Sequence, residues 1–342
     1  MIDVIIPIYN TPVKDLKRCF DSIIRQTYDE WCVYLIDDGS NETTKNWLDK
    51  FVKSNSKFYV KHIDNGGVSN ARNVGLSLSK GEYITFCDAD DSFDVNFFKQ
   101  AIDIMNKNNV DMVIGGVRLI YSDHDYYCVA NKDYLYTKDN INELFEYMVA
   151  GVPVKDDEIL NNIYAGRTIA KLYKKSLLSD VRLDVSLFMH EDNLFSIDVF
   201  DKCNSVYVTS NVWYNYYQND YSVTHIKYSD ELLEQELLFI DKLLMRIDIF
   251  EKNNLMNSLK LRISNIIFMY IQRLSYSDKS LKDGINNIDS LGIFNYIRGL
   301  NYNKYKNIKN LKKFIYRVLL INNKKVRNSL LVLFIKIYRL FK

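Results

Sequence analysis

The first 120 residues alternate short apolar runs with stretches of helical periodicity, and few folds accept that pattern. Ile2-Asp-Val-Ile-Ile-Pro-Ile8 reads as a strand closed by Tyr9-Asn10-Thr11-Pro12, and Val13 to Ile24 then repeats apolar residues at helical spacing. Trp31 to Ile36 is the next strand; it ends in Asp37-Asp38-Gly39-Ser40, after which Asn41 or Glu42 opens a helix. Phe58 to Ile63 leads through Asp64-Asn-Gly-Gly67 into a helix from about Val68. Tyr83 to Cys87, punctuated by Gly81, gives a fourth strand and Val110 to Leu119 a fifth. This alternation predicts an α/β fold with a mainly parallel sheet and helices on both faces. Ligands of such sheets bind beyond the carboxyl ends of the strands. Tyr9, Asp37, Asp38, Gly66, Gly67, Asp88 and Asp90 would all gather on that edge.

The fourth strand ends in Asp88-Ala-Asp90-Asp91, three carboxylates within four positions. Like charges packed so closely repel, and a strand end that keeps them points to a compensating cation, with a hard divalent metal the natural candidate. Asp91 or Ser92 has a second reading as the cap of a helix beginning at Asp94. Gly66-Gly67-Val-Ser69-Asn-Ala-Arg72-Asn73 is glycine-rich and enters a helix, which allows close backbone approach to a phosphate. It has neither the Gly-x-Gly-x-x-Gly spacing of a dinucleotide fold nor the Gly-Lys-Ser/Thr of a P-loop, so hydride transfer and ATP hydrolysis are disfavoured. Arg72 reads equally as a phosphate or base contact and as a surface ion-pair partner.

Charge is distributed unevenly. Lys304 to Lys342 holds twelve Lys or Arg and no Asp or Glu, which leaves the preceding residues with 33 basic and 43 acidic side chains, a net −10. An acidic body with a basic tail argues against a nucleic-acid-binding core. Five cysteines without Cys-x-x-Cys spacing suggest neither a disulfide framework nor a zinc cage and fit a reducing cytoplasm. Asp3 and Pro7 interrupt the apolar start, unlike a signal peptide, and no apolar run approaches the roughly 20 residues of a membrane span.

Five segments in order, Pro7-Ile-Tyr9-Asn10, Asp37-Asp38-Gly39-Ser40, Gly67-Val-Ser69-Asn-Ala-Arg72-Asn73, Asp88-Ala-Asp90-Asp91 and His190-Glu191-Asp192, resemble the motifs of family 2 glycosyltransferases over roughly the first 225 residues. These are inverting GT-A enzymes that use nucleotide-diphosphate sugars. The resemblance implies a UDP-sugar donor whose base pocket is lined by Pro7, Ile8 and Tyr9. Asp38 would read the uracil, Gly67, Arg72 and Ala89 would lie beside the nucleotide, and Asp88 would face the ribose. Asp90 would bind Mn²⁺ or Mg²⁺, for which carboxylate oxygens are well suited. Asp192 would be the base that takes the acceptor proton, and Glu191 would position the acceptor; on the residues alone, a carboxylate there also reads as a helix cap. His225 falls where some relatives place a further metal ligand. His190 reads better as a satisfied neighbour than as a ligand, and Lys171 as a solvated lysine. Val185 to Phe188 reads as a strand leading into the helix of Asp192.

The expected organisation is a GT-A domain over 1–225, with a donor half of about 1–115 and an acceptor half of about 116–225. A helical C-terminal region over 226–342 follows and carries a basic amphipathic tail, 304–342. In the tail, Lys306, Lys309, Lys313 and Arg317 lie near one helical face and Ile308, Leu311, Ile315 and Leu319 near another. That tail either docks on an anionic membrane surface or packs on the protein's acidic body. The acceptor is expected to be a growing surface glycan, lipid-linked or free. Two rival readings remain at this stage. One is a nucleotide-sugar-binding pseudoenzyme or assembly subunit, against which the intact Asp88, Asp90, Glu191 and Asp192 speak. The other is a nucleotidyltransferase, which calls for a basic glycine-rich loop that Tyr9-Asn10-Thr11-Pro12 does not supply.

Overall fold

A computed structural model describes residues 1–151, 163, 165–218, 229–275, 280–290, 292–304, 308 and 310–340. The chain divides into two compact units, Met1–Phe145 with Glu158–Asn219, and Glu146–Asp157 with Asp220–Lys342.

The first unit is built on one sheet whose strands are β1 (Ile2–Ile8), β2 (Trp31–Asp38), β3 (Phe58–Ile63), β4 (Tyr83–Phe86), β5 (Ser92–Phe93), β6 (Met112–Ile120), β7 (Asp125–Cys128), β8 (Tyr134–Tyr136), β9 (Lys171–Lys174) and β10 (Val206–Tyr217). Their order is β3-β2-β1-β4-β9-β6-β10-β5, with β7 paired to β6 and β8 to β10. The first four are mutually parallel. Beyond them the sheet is mixed: β9 runs antiparallel between β4 and β6, while β10 runs parallel to β6. Two antiparallel steps restore direction, so β6 and β10 end on the same edge as β1, β2 and β4.

The helices of this unit are α1 (Val13–Ile24), α2 (Glu42–Lys53), α3 (Gly67–Leu78), α4 (Phe97–Asn108), α5 (Ile141–Ala150, which crosses into the second unit) and α6 (Glu191–Lys202). The bounds of β1 and α1 are those the alternation predicts. Asn41 caps α2 by accepting from the Thr44 amide at 3.0 Å. Helix α3 lies hard against β1, because a Cβ on Gly75 would sit 2.3 Å from Ile5 Cγ2. That contact fixes where the amino end of α3, and with it Arg72, meets the sheet edge. The core joins Ile2, Val4 and Ile6 of β1 to Leu16, Phe20 and Ile23 of α1 and to Phe97 and Trp213. Val185–Phe188 is not a strand; it forms a turn with Val185 and Phe188 exposed, since no neighbouring strand takes up its backbone groups.

The second unit is helical, with α7 (Asp230–Leu244), α8 (Ile247–Lys252), α9 (Met256–Leu274), α10 (Leu281–Ser290), α11 (Ile293–Tyr296), α12 (Asn310–Leu319) and α13 (Lys324–Leu340). Phe239, Leu243, Ile266, Ile267 and Ile271 are buried within it. The basic tail is part of this core: Ile308, Ile315, Leu319, Leu331 and Ile335 are buried, although Leu311, placed with them by periodicity, is 44% exposed. Among the described residues no helix is long and apolar enough to cross a membrane.

Candidate active site

The loops that leave β1, β2 and β3 are tied to one another. Pro7, which lacks an N–H, sits next to last in β1, and Asn10 follows at φ 51. The Asn10 amide donates to Ser40 Oγ at 2.9 Å, and Asn10 Oδ1 accepts from the Asn41 amide at 2.8 Å. Tyr9 is left 57% exposed at this edge, whereas the Ile8 and Ala89 side chains are buried. Asp37, fully buried, accepts from the Ser40 amide and is bonded to His62 Nδ1 at 2.6 Å. Asp38 accepts from the Gly66 and Gly67 amides, each at 2.8 Å, and so clamps the loop that starts α3. Gly67 holds that loop at φ 85, a conformation costly for other residues.

The acidic segment after β4 is held from β10. The Asp88 amide donates to Tyr214 Oη at 3.0 Å, and the Tyr214 hydroxyl donates to Asp91 Oδ2 at 2.7 Å. Asp91 Oδ1 accepts the Tyr217 amide at 2.9 Å. Asp91 therefore does not cap a helix; α4 begins later, with Asn96 at its N-cap, and Ser92 lies in β5. Burial, then the charges of Asp88 and Asp90, push the Asp91 carboxyl well above the usual range. Arg18 donates to the Asp90 carbonyl and lies over the Tyr217 ring, 3.8 Å from its centroid. Among the described residues no three His, Cys, Asp or Glu side chains are grouped so as to hold a metal ion by themselves.

Arg72 connects this segment to α6. Only 3% exposed, it contacts Asp88 Oδ1 through Nη2 at 2.8 Å, and Asp192 Oδ1 at 3.1 Å and Glu191 Oε1 at 3.6 Å through Nη1. It is a buried bridge, not a surface ion pair. Asp192 lies in the first turn of α6, whose N-cap is His190, and its Oδ1 also accepts from Thr168 Oγ1 at 3.2 Å. On its other side Arg167 Nη1 stands 3.9 Å from Oδ2, too far for a hydrogen bond. Burial, then the Asp192 charge, push the Glu191 carboxyl up to about 7 despite Arg72. His190 precedes them at φ 66.

Lys171 corrects an expectation. It is 1% exposed, and its Nζ donates to the carbonyls of Arg167 and Ile169. Burial brings its pKa down to about 7, although Asp192 opposes the shift. Tyr173 Oη donates to the Thr168 carbonyl at 3.2 Å, so β9 pins the loop that presents Arg167 and Thr168 to Asp192. The sequence singles out none of Arg167, Thr168 and Tyr214; the first two lie within four positions of Lys171, and Tyr214 is brought in by β10. Thus Arg72, Asp88, Glu191 and Asp192 converge; Tyr9, Asp38 and Gly67 lie on the same edge; and His225 lies outside the described residues.

Residues 3–154 match the profile of "Glycosyl transferase family 2". The chain is 26% identical over 286 residues to glycosyltransferase GlyG of Streptococcus pneumoniae serotype 4, covering 81% of this chain and 89% of that one. It is 25% identical over 291 residues to TarP of Staphylococcus aureus, a poly(ribitol-phosphate) beta-N-acetylglucosaminyltransferase, covering 82% and 83%. Its fold is similar to that of S. aureus TarS 1–349 crystallised with UDP-GlcNAc, with a TM-score of 0.69 at 19% identity over 96% of this chain and 88% of that one. Residues 3–154 are thus a family 2 glycosyltransferase domain, set in a GT-A fold.

Proposed function

We propose that this glycosyltransferase moves a sugar from a UDP-sugar to a hydroxyl of a surface-glycan acceptor, with inversion, and that Asp192 is the base. The observation that carries this reading is Arg72, whose single guanidinium holds Asp88 on the donor side and Asp192 on the acceptor side. A base must reach the acceptor hydroxyl while that oxygen faces the anomeric carbon, and a bridge tying the donor side to the acceptor side supports such a spacing. The TarP name, which specifies β-N-acetylglucosaminyl transfer to poly(ribitol-phosphate), supports a polymeric acceptor and, for an α-linked donor, inversion.

The steps follow from the chain's own groups. Tyr9 and the Asp38-clamped Gly66-Gly67 loop would receive the nucleotide. Asp192 Oδ1 is occupied by Arg72 and Thr168, which leaves Oδ2 to accept the acceptor proton. The acceptor oxygen then attacks the anomeric carbon as the bond to the β-phosphate oxygen breaks and UDP leaves. Glu191, its carboxyl pushed up to about 7 by burial and by Asp192, can donate to or accept from an acceptor hydroxyl and so orient it. Asp90, with the mutually repelling carboxylates of Asp88 and Asp91 beside it, fits a hard divalent ion completed by diphosphate oxygens. Mn²⁺ or Mg²⁺ there would neutralise charge building on the leaving diphosphate.

UDP release from a panel of UDP-sugars, with Mn²⁺ or EDTA, tests the reading. Asp192→Asn should lower turnover by about 10²–10⁴-fold and leave UDP affinity nearly unchanged. Near-normal turnover by that variant removes Asp192 as base, and full activity in EDTA removes the metal.

A further inference from the structure

The second unit contains a cavity of about 940 Å³ between α10 and α13 that glycosyl transfer does not use. The two helices run antiparallel, because Asp289 near the end of α10 bonds Lys324, Arg327 and Asn328 in the first turns of α13. Leu281 and Ile285 of α10 and Val332 and Leu333 of α13 give the groove an apolar floor. Lys282, Lys324, Lys325 and Lys336 stand around it, and among the described residues no carboxylate lines it. Lys324 is paired with Asp289 at 3.1 Å. The other three have no carboxylate partner among the described residues.

Lys325, Ser329, Val332 and Lys336 share one face of α13, so the two lysines stand about 16 Å apart along the helix with apolar surface between them. Leu333 is 52% exposed there, although the opposite face of α13 buries Leu331 and Ile335. Cations at both ends of an apolar strip select a ligand that is anionic and hydrocarbon together. A soluble polyanion would leave the floor in water, and an apolar peptide would leave the lysines unused. The cavity also lies within the range of about 300–1,000 Å³ common for small-ligand sites.

We propose that this groove is a docking site for anionic phospholipid of a membrane leaflet, with a phosphate held by the lysines at one end, an acyl chain laid on Leu281, Ile285, Val332 and Leu333, and the lysines at the other end facing the headgroup of a neighbouring lipid. Among the described residues no helix is long and apolar enough to cross a membrane, and the contact proposed is interfacial. The inference does not depend on the proposed chemistry and stands or falls separately from it.

Co-sedimentation of the full-length protein with phosphatidylcholine vesicles, with and without phosphatidylglycerol, tests it at low and high salt. Binding should require phosphatidylglycerol and weaken with salt. Each lysine near an anionic leaflet contributes about fivefold, so Lys282→Gln, Lys325→Gln and Lys336→Gln together should weaken partitioning about 100-fold. Leu333→Asn, at an exposed position, should weaken it without altering charge. The charge-matched control Lys50→Gln, Lys53→Gln and Lys107→Gln, at exposed sites on α2 and α4, should bind as wild type. The proposal is overturned if phosphatidylglycerol adds nothing, if the control loses as much as the groove variant, or if Leu333→Asn binds normally, which would make the site a simple polyanion patch.

Discussion

Replacing Arg72 by methionine keeps an unbranched stem of similar reach and removes the guanidinium that touches Asp88, Glu191 and Asp192 together. Arg72 is 3% exposed, and the Glu191 and Asp192 side chains are 13% and 11% exposed, so water does not readily take over from the guanidinium. Breaking a buried pair by deleting one partner costs about 3–5 kcal/mol. Asp88, with its side chain 29% exposed, recovers part of its solvation, which places the expected loss toward the lower figure. For a unit of this size each kcal/mol corresponds to about 2–4 °C, so Tm should fall by about 6–12 °C at pH 8.

The pH dependence separates this account from lost packing. Arg72 holds the Glu191 carboxyl down, and without it that carboxyl, already pushed up to about 7, rises further in the folded state. A carboxyl raised above its unfolded value stabilises below the unfolded pKa, and that contribution is lost as pH rises through the folded pKa. The deficit of Arg72→Met should therefore be larger at pH 8 and shrink toward pH 5. Thermal unfolding of both proteins across that range is the assay. A deficit of equal size at pH 5 and pH 8 would refute the electrostatic argument and leave Arg72 as a packing residue.

Glu191→Gln removes a carboxyl raised from 4.5 to about 7, whose burden is absent below pH 4.5 and complete above 7; the variant should match wild type in Tm at pH 4.5 and exceed it at pH 8, by no more than about 3 kcal/mol. Equal stability at both pH values would show that Glu191 is not strained. Asp38→Asn leaves one carbonyl oxygen for two amides and turns an amide group toward the other, so it should cost about 1.5–3 kcal/mol and speed hydrogen exchange at Gly66 and Gly67. Unchanged exchange with weakened UDP affinity would instead assign Asp38 wholly to the ligand.

What the sequence disclosed follows from how far apart the interacting residues lie. The bounds of β1 and α1 and the cap of α2 rest on neighbours within four positions, and periodicity and capping chemistry register such relations directly. Carboxylates at the ends of β2 and β4 were legible because a parallel sheet sends every such end to one edge. Asp91 shows where that logic stops: a carboxylate shortly before a helix resembles a cap, but its partners Tyr214 and Tyr217 come from β10, more than 120 residues away. Arg72 reads as a surface ion-pair partner until α6 brings Asp192 to it across 120 residues.

Lys171 is the sharpest case. Lys-Leu-Tyr-Lys is too polar to be picked as a buried strand, while Val185 to Phe188 has the apolar content and proves to be a turn. Burial of Lys171 becomes tolerable because the preceding loop, with Ala170 at φ 56, turns carbonyls inward that no strand satisfies. An amine that can be neutral near pH 7 donates to them at a smaller desolvation cost than a fixed cation would incur. The same loop holds Thr168 and Arg167 on the two sides of Asp192, so the residue hardest to place from composition supports the carboxylate on which the proposed chemistry depends.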